Sequence, residues 1–358
     1  MLQDDFLCAV TQAAADAAED IQKHRTPDSF VFLTFSDLHM KDADSENTQK
    51  LLAALEIADR SIEPDAVVNL GDNPDMLGRA DHITNEDLSN LFTRLFDRMQ
   101  GAVRCPLLLV HGNHDAPGTD FFKPDFWNDI VKGRYGHDRA VYGPEGSYCY
   151  FEIPASQTRL VMLSLPYDAD VEAQMPTPLW KFGDQQLQWL ANTALDTQYR
   201  VILLVHVPLF YDYHGDTTSV LGVWTGQRSA EAYIKDLCGE IGDRETAVEI
   251  LRAFAEHKAY IREDLGIRLK ASSASAGLAA CFSGHTHTDS LWQPLETRKG
   301  RTNHLPCPQV VIKASSICYD DGPNLGVALD AVLWTPSEGT FQIFRIGDGE
   351  SRSFCAGC

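Results

Sequence analysis

The sequence predicts an α/β fold built on parallel strands. Three observations predict it: short apolar runs alternate with amphipathic stretches between residues 30 and 110, the runs are apolar on both faces, and five runs along the chain end in Asp, His or Asn. With 358 residues and 44% apolar content the chain can bury a large core. Length alone would suggest about two or three domains. Because α/β proteins of this size often form one unit with insertions, a single domain over residues 1–358 is expected.

Phe6, Val10, Ala13, Ala17 and Ile21 recur at three- or four-residue spacing, which gives a helix over residues 4–24 one apolar stripe, and Pro27 ends it. This helix is expected to pack on the core or on a partner subunit. Phe30–Phe35 reads as the first strand, and Leu51, Leu55, Ala58 and Ile62 mark the helix after it. Ala66–Leu70 and Pro106–Val110 read as strands on either side of a helix around Leu88–Met99. No long helix separates Ser147–Ile153 from Arg159–Leu165, which predicts a hairpin. A helix marked by Leu187, Leu190, Ala194 and Leu195 precedes a buried strand at Val201–Val205. Residues 211–277 form a polar insertion, expected to be cap-like and helical over Ala247–Asp264. Gly277–Ser283, Gln309–Ala314, Val327–Trp334 and Thr340–Ile346 read as closing strands.

The formal net charge is -21, from 51 acidic and 30 basic side chains. The longest basic cluster, Arg298, Lys299 and Arg301, is too short to track a duplex, so nucleic acid is disfavoured as a partner. The start of the chain carries Asp4 and Asp5 without a basic segment, and no run reaches the roughly 18 apolar residues that span a bilayer. No membrane partner and a cytoplasmic location are therefore expected; the sequence carries no signal of oligomeric state. Nine scattered cysteines fit reduced, buried thiols better than a disulfide framework. Cys355 and Cys358 form a C-x-x-C, but no second pair completes a four-ligand zinc site, and a frayed tail is expected there.

The chemistry is concentrated at the five run ends. Phe30–Phe35 leads into Asp37-Leu38-His39, Ala66–Leu70 into Gly71-Asp72-Asn73, and Leu107–Val110 into Gly112-Asn113-His114-Asp115. Val201–Val205 ends at His206, and Ala279–Ser283 leads into Gly284-His285-Thr286-His287. In an open α/β sheet, functional groups collect beyond the carboxyl ends of the strands, so five such ends can meet at one point. A lone histidine after a strand is usually structural. Together these oxygen and imidazole groups, with no thiolate among them, suit hard or borderline ions such as manganese, iron or zinc.

In motif and order this set resembles the calcineurin-like metallophosphoesterases, whose D-x-H, G-D, G-N-H-D/E, strand-end His and G-H-x-H words all occur between residues 37 and 287. The resemblance implies a two-sheet mixed β-sandwich flanked by helices. It further implies that Asp37, His39 and His287 hold one ion, that Asn113, His206 and His285 hold a second, and that Asp72 bridges both. His114 would stand beside the phosphoryl group as general acid, with Asp115 or a neighbour orienting its ring. Two ions about 3.5 to 4 Å apart would hold a bridging hydroxide that attacks a small-molecule phosphate mono- or diester.

Departures from the patterns of individual branches narrow the choice. Met76 and Ala116-Pro117-Gly118 stand where protein phosphatases carry phosphate-gripping arginines. His39 and the lack of a tyrosine near Asp72 disfavour plant-type purple acid phosphatases, and His114 disfavours the enzymes that split lipid-linked nucleotide diphosphates. The spellings look closer to the purple-acid-phosphatase-related and cyclic-nucleotide phosphodiesterase-like branches. Two alternatives are a nuclease of the same fold and a non-catalytic interaction protein that keeps a structural metal site.

Other polar residues are weighed against plain structural roles. Tyr211, Tyr213 and His214 begin the insertion beyond His206 and are expected to contact substrate. Asp75 completes G-D-x-x-D but also suits a turn, and His111 reads as a core histidine. Trp224, Tyr135, Asp168, Ser315, Ser316 and Asp320 read as structural or solvated, with substrate contact the lesser alternative.

Overall fold

The structure is a computed structural model that describes residues 4–40, 42–74, 84–115, 128–164, 181–210, 243–298, 301–315 and 325–357. Among the described residues its α-helices are α1 (Asp4–His24), α2 (Glu46–Ile62), α3 (Asn85–Ala102), α4 (Asp184–Trp189) and α5 (Arg244–Ala255). The strands begin with β1 (Phe30–Phe35), β2 (Ala66–Asn69), β3 (Leu107–Leu109), β4 (Ala140–Tyr142), β5 (Cys149–Ile153), β6 (Thr158–Leu163), β7 (Arg200–Val205), β8 (Tyr260–Arg262) and β9 (Ile267–Leu269). They continue with β10 (Gly277–Ser283), β11 (Ser290–Trp292), β12 (Thr297–Arg298), β13 (Arg301–Thr302), β14 (Gln309–Val311), β15 (Ala328–Thr335), β16 (Thr340–Gly347) and β17 (Arg352–Cys355).

Two mixed sheets form the centre. The first has the order β17-β16-β15-β1-β2-β3 and the second β11-β14-β10-β7-β6-β5-β4. β1, β2 and β3 are parallel, as are β6, β7, β10 and β14.

The alternating side chains of each strand explain why both faces of both sheets are apolar. In β1, Phe30 and Phe32 point between the sheets, where they join Ile202 and Leu204 of β7 and Phe282 of β10. Val31, Leu33 and Phe35 point the other way, onto the apolar stripes of α2 and α3. Val201, Leu203 and Val205 of β7 likewise pack on Leu187 of α4 and on Ile250 and Phe254 of α5. The result is four layers, with helices outside and an apolar seam between the sheets.

Local signals fix the helix starts. Ser45 caps α2 by accepting from the Thr48 N–H, and Thr84 and Asp87 form a reciprocal capping box at α3. Helix α1 packs on α2 and β16, so its stripe is covered within the chain.

Two expectations are corrected. The helix predicted over Ala247–Asp264 is α5, which ends at Ala255; β8 and β9 follow as a hairpin, turned through Gly266 at φ 66°. The described half of the insertion therefore packs α5 into the outer face of the second sheet. The predicted frayed tail is instead strand β17, paired with β16, and its Phe354 stacks on Phe341. Cys355 is an exposed residue of that strand. Among the described residues no helix is long and apolar enough to cross a membrane.

Candidate metal centre

The strand ends converge because the loops after β1 and β2 run side by side. Asp37 N–H donates to the Gly71 carbonyl at 3.0 Å, His39 N–H to Asp72 at 3.1 Å, and Met40 N–H to Asn73 at 2.9 Å. The loop after β10 joins them from the other sheet. Gly284 N–H donates to the His206 carbonyl at 2.9 Å, and His285 N–H donates to the Asp37 carboxylate at 2.9 and 3.1 Å. Asp37, His39, Asp72, His285 and His287 all have left-handed φ, between 41° and 71°. Non-glycine residues in that region cost about 1–3 kcal/mol each and persist where the surroundings over-determine them, as at functional sites.

The glycines matter here for two separate reasons. Gly71 adopts φ 100°, a turn that favours a residue without Cβ. Gly112 and Gly284 do not; at them the need is room, since a Cβ on Gly112 would lie 2.2 Å from Asp72 Oδ1 and one on Gly284 2.5 Å from Asp37 Oδ2.

The donor atoms of Asp37, His39 and His287 lie within 4.8 Å of one another, and the same holds for Asp72, His206 and His285 and for His39, Asp72 and His114. Asp72 Oδ2 is 3.1 Å from His206 Nε2 and 3.8 Å from both His39 Nε2 and His114 Nε2. Asp37 Oδ1 is 3.3 Å from His287 Nε2 and 3.6 Å from His39 Nε2. Asn113 Oδ1 lies 2.8 Å from His285 Nδ1. Asp37, Asp72 and His206 are fully buried.

Electrostatics separates the histidines. For His206, burial opposes charge but Asp72 and Asp37 prevail and push it up to about 9. His39 is raised against burial by Asp37 and Asp72. Burial, with the neighbouring histidines, instead pushes His114 down to about 4 and His285 down to about 3. Against burial, Asp72 is held well below the usual carboxylate range by His206, His114 and His39, and Asp37 by His287, His39 and His206.

The residues fit a metal. His206 Nδ1 is 2.8 Å from the Leu70 carbonyl, which fixes one proton there, so that Nε2 is the nitrogen a cation would coordinate on displacing the second proton. That Nε2 is buried, has no hydrogen-bond partner among the described residues, and faces the carboxylate of Asp72. A cation between them satisfies both groups.

Asp115 departs from expectation. It does not orient the His114 ring: Oδ2 accepts from the N–H groups of Asp72 and Gly112 at 3.0 and 2.8 Å, and Oδ1 from the N–H and side-chain amide of Asn73 at 2.9 and 3.1 Å. Burial, followed by the nearby Asp72, pushes Asp115 up to about 6. Asp115 therefore staples the second motif to the third. His114 is anchored by its backbone N–H on Asp72 Oδ1 at 2.8 Å, while its Nδ1 is buried with no hydrogen-bond partner among the described residues.

Sequence reasoning missed Asn69 and Asn73. Asn69 Oδ1 accepts from the Gly71 N–H at 2.9 Å and its amide donates to Asn73 Oδ1 at 2.5 Å, which fixes the turn before Asp72. The available signal was a polar residue closing an otherwise apolar strand. Tyr135 belongs to the core, with its hydroxyl donating to Asp97 at 2.7 Å, and Ser315 is buried and donates to the Ala328 carbonyl. His111 is buried at the end of β3's extension. Asp75, Tyr211, Tyr213, His214, Trp224, Asp168, Ser316 and Asp320 lie outside the described residues.

The calcineurin-like phosphoesterase family model matches residues 30–289, and the chain belongs to that family. It is a metal-dependent phosphoric ester hydrolase. A solved dimetal phosphatase from Danio rerio is similar over 91% of this chain and 98% of its own, at 14% identity and a TM-score of 0.56, which supports the shared fold. A calcineurin-like phosphoesterase, YfkN, from Bacillus subtilis is similar over 90% of each chain at 14% identity, with a TM-score of 0.39 that adds nothing further. No curated protein is significantly similar to the chain in sequence.

Proposed function

We propose that the protein hydrolyses a small-molecule phosphate mono- or diester at a centre that holds two divalent ions. The observation that carries this reading is Asp72: one buried carboxylate that His206, His39 and His114 approach within 3.8 Å, beside a second carboxylate, Asp37, with its own histidines. In this reading Asp37, His39 and His287 would hold one ion, Asn113, His206 and His285 would hold the other, and Asp72 would serve both. When bound, the ions supply a nucleophile at neutral pH and offset the charge of the phosphate.

The protein's own groups do the rest. The Leu70 carbonyl fixes the orientation of the His206 ring, Asp115 fixes the backbone of Asp72 and Gly112, and Asp72 holds the His114 N–H. In the same reading His114 would face the phosphoryl group, whose negative charge favours the protonated ring, and would give its Nε2 proton to the leaving oxygen. The net charge of -21 supports a small substrate over a polyanion.

The test is cleavage of p-nitrophenyl phosphate and of its bis ester, with Mn²⁺ and after chelation. Metal-dependent release from at least one ester is expected, and the ratio of the two ranks monoesterase against diesterase. Inertness toward both, or cleavage indifferent to chelation, contradicts the reading.

A further inference from the structure

We infer that Asp289, Arg345 and Arg352 form a clamp that positions His287 from across the two sheets; this rests on the proposed metal centre. The loop from Gly284 to Asp289 carries two candidate ligands, His285 and His287, at φ 71° and 61°. Such backbone needs anchors on both sides to hold its geometry. The near side has them in the bonds from Gly284 to His206 and from His285 to Asp37.

On the far side Ala314 N–H reaches the His287 carbonyl at 3.4 Å, and the side-chain anchor is Asp289. Its Oδ1 accepts from Lys313 N–H at 3.1 Å, from Arg345 Nη2 at 2.7 Å and from Arg352 Nη1 at 2.8 Å. Asp289 precedes β11 in the second sheet, whereas Arg345 lies in β16 and Arg352 in β17 of the first. Arg345 is itself immobilised. Its Nε and Nη2 grip Asp330 of β15 at 2.7 and 3.2 Å, and its Nη1 donates to the Asp348 carbonyl at 2.6 Å. Arg352 Nη2 also reaches Asp330, at 3.4 Å.

Two arginines and two aspartates thus balance in charge. The Arg345 side chain is 2% exposed and that of Asp330 1%, so this is not the screened surface pairing that contributes little. Burying such charges is costly, and the forked geometry offsets the cost only while all partners remain. The network therefore fixes the Asp289 carboxylate, two residues from His287, against a rigid part of the other sheet. Groups that orient a ligand from behind typically change metal affinity about 10- to 100-fold when mutated.

A role confined to joining the sheets would lower stability and leave metal affinity alone. The test is calorimetric titration of Mn²⁺ into chelator-treated wild type, Asp289→Asn and Arg352→Gln, with the Tm of each metal-free protein measured alongside. Asp289→Asn is expected to weaken Mn²⁺ binding about 10- to 100-fold, with kcat recovering as Mn²⁺ is raised. Arg352→Gln, at the edge of the network, is expected to act in the same direction by a smaller factor and serves if Asp289→Asn does not fold. A lowered Tm with an unchanged Mn²⁺ Kd overturns the clamp. Failure of the wild type to take up Mn²⁺ overturns the metal centre and the clamp with it.

Discussion

His114 combines three properties that decide what it can do: its ring is buried, its Nε2 lies 3.8 Å from Asp72, and its Nδ1 has no hydrogen-bond partner among the described residues. As a proton donor it should matter most when the leaving group is a poor one. His114→Asn is expected to lower kcat by about a hundred- to ten-thousandfold on an alkyl phosphate, and by less on p-nitrophenyl phosphate, with metal content unchanged. Loss of metal in that variant would make His114 a ligand, as its grouping with His39 and Asp72 also allows. The candidate ligands were legible in the sequence because Asp, His and Asn after apolar runs are chemically conspicuous. Asp115 was visible too, but its work was not: a carboxylate that collects backbone N–H groups from Asp72, Asn73 and Gly112 leaves no spacing pattern.

At the scale of elements, the parallel strands and their helices followed from periodicity, since β1, β2 and β3 are buried on both faces and α2 and α3 carry clear stripes. Strands of two or three residues, such as β8, β9 and β12, are too short for alternation to register. Nor does sequence reveal how near two loops pass. Gly284 shows the consequence, because an added Cβ would lie 1.9 Å from Ser36 Oγ and 2.5 Å from Asp37 Oδ2, joining a loop of one sheet to a loop of the other. Gly284→Ala is expected to destabilise the fold by about 1–3 kcal/mol and to weaken metal binding by displacing Asp37 and His285. Thermal unfolding and Mn²⁺ titration check both effects; a destabilised variant with wild-type affinity would mean that the loops yield without moving the donors.

For the whole molecule, the sandwich places its strand ends so that each sheet supplies part of the candidate centre: Asp37, His39, Asp72 and Asn113 from the first, His206, His285 and His287 from the second. That division is what would let the C-terminal strands, which carry no motif, bear on function through the proposed clamp. β15 to β17 complete the first sheet and send Arg345 and Arg352 to the loop of His287. It also places the two carboxylates beside histidines whose protons offset their charge when no cation is bound. The most direct test of the two-ion centre is therefore to strip the protein with a chelator and titrate it with Mn²⁺, counting bound ions per chain and following p-nitrophenyl ester cleavage. The same titration is run on Asp72→Asn, which removes the negative charge between the ions. Two ions per wild-type chain are predicted, with activity returning as they bind and both lost in Asp72→Asn. Full activity in the stripped protein, or two ions and full activity in Asp72→Asn, would contradict the account.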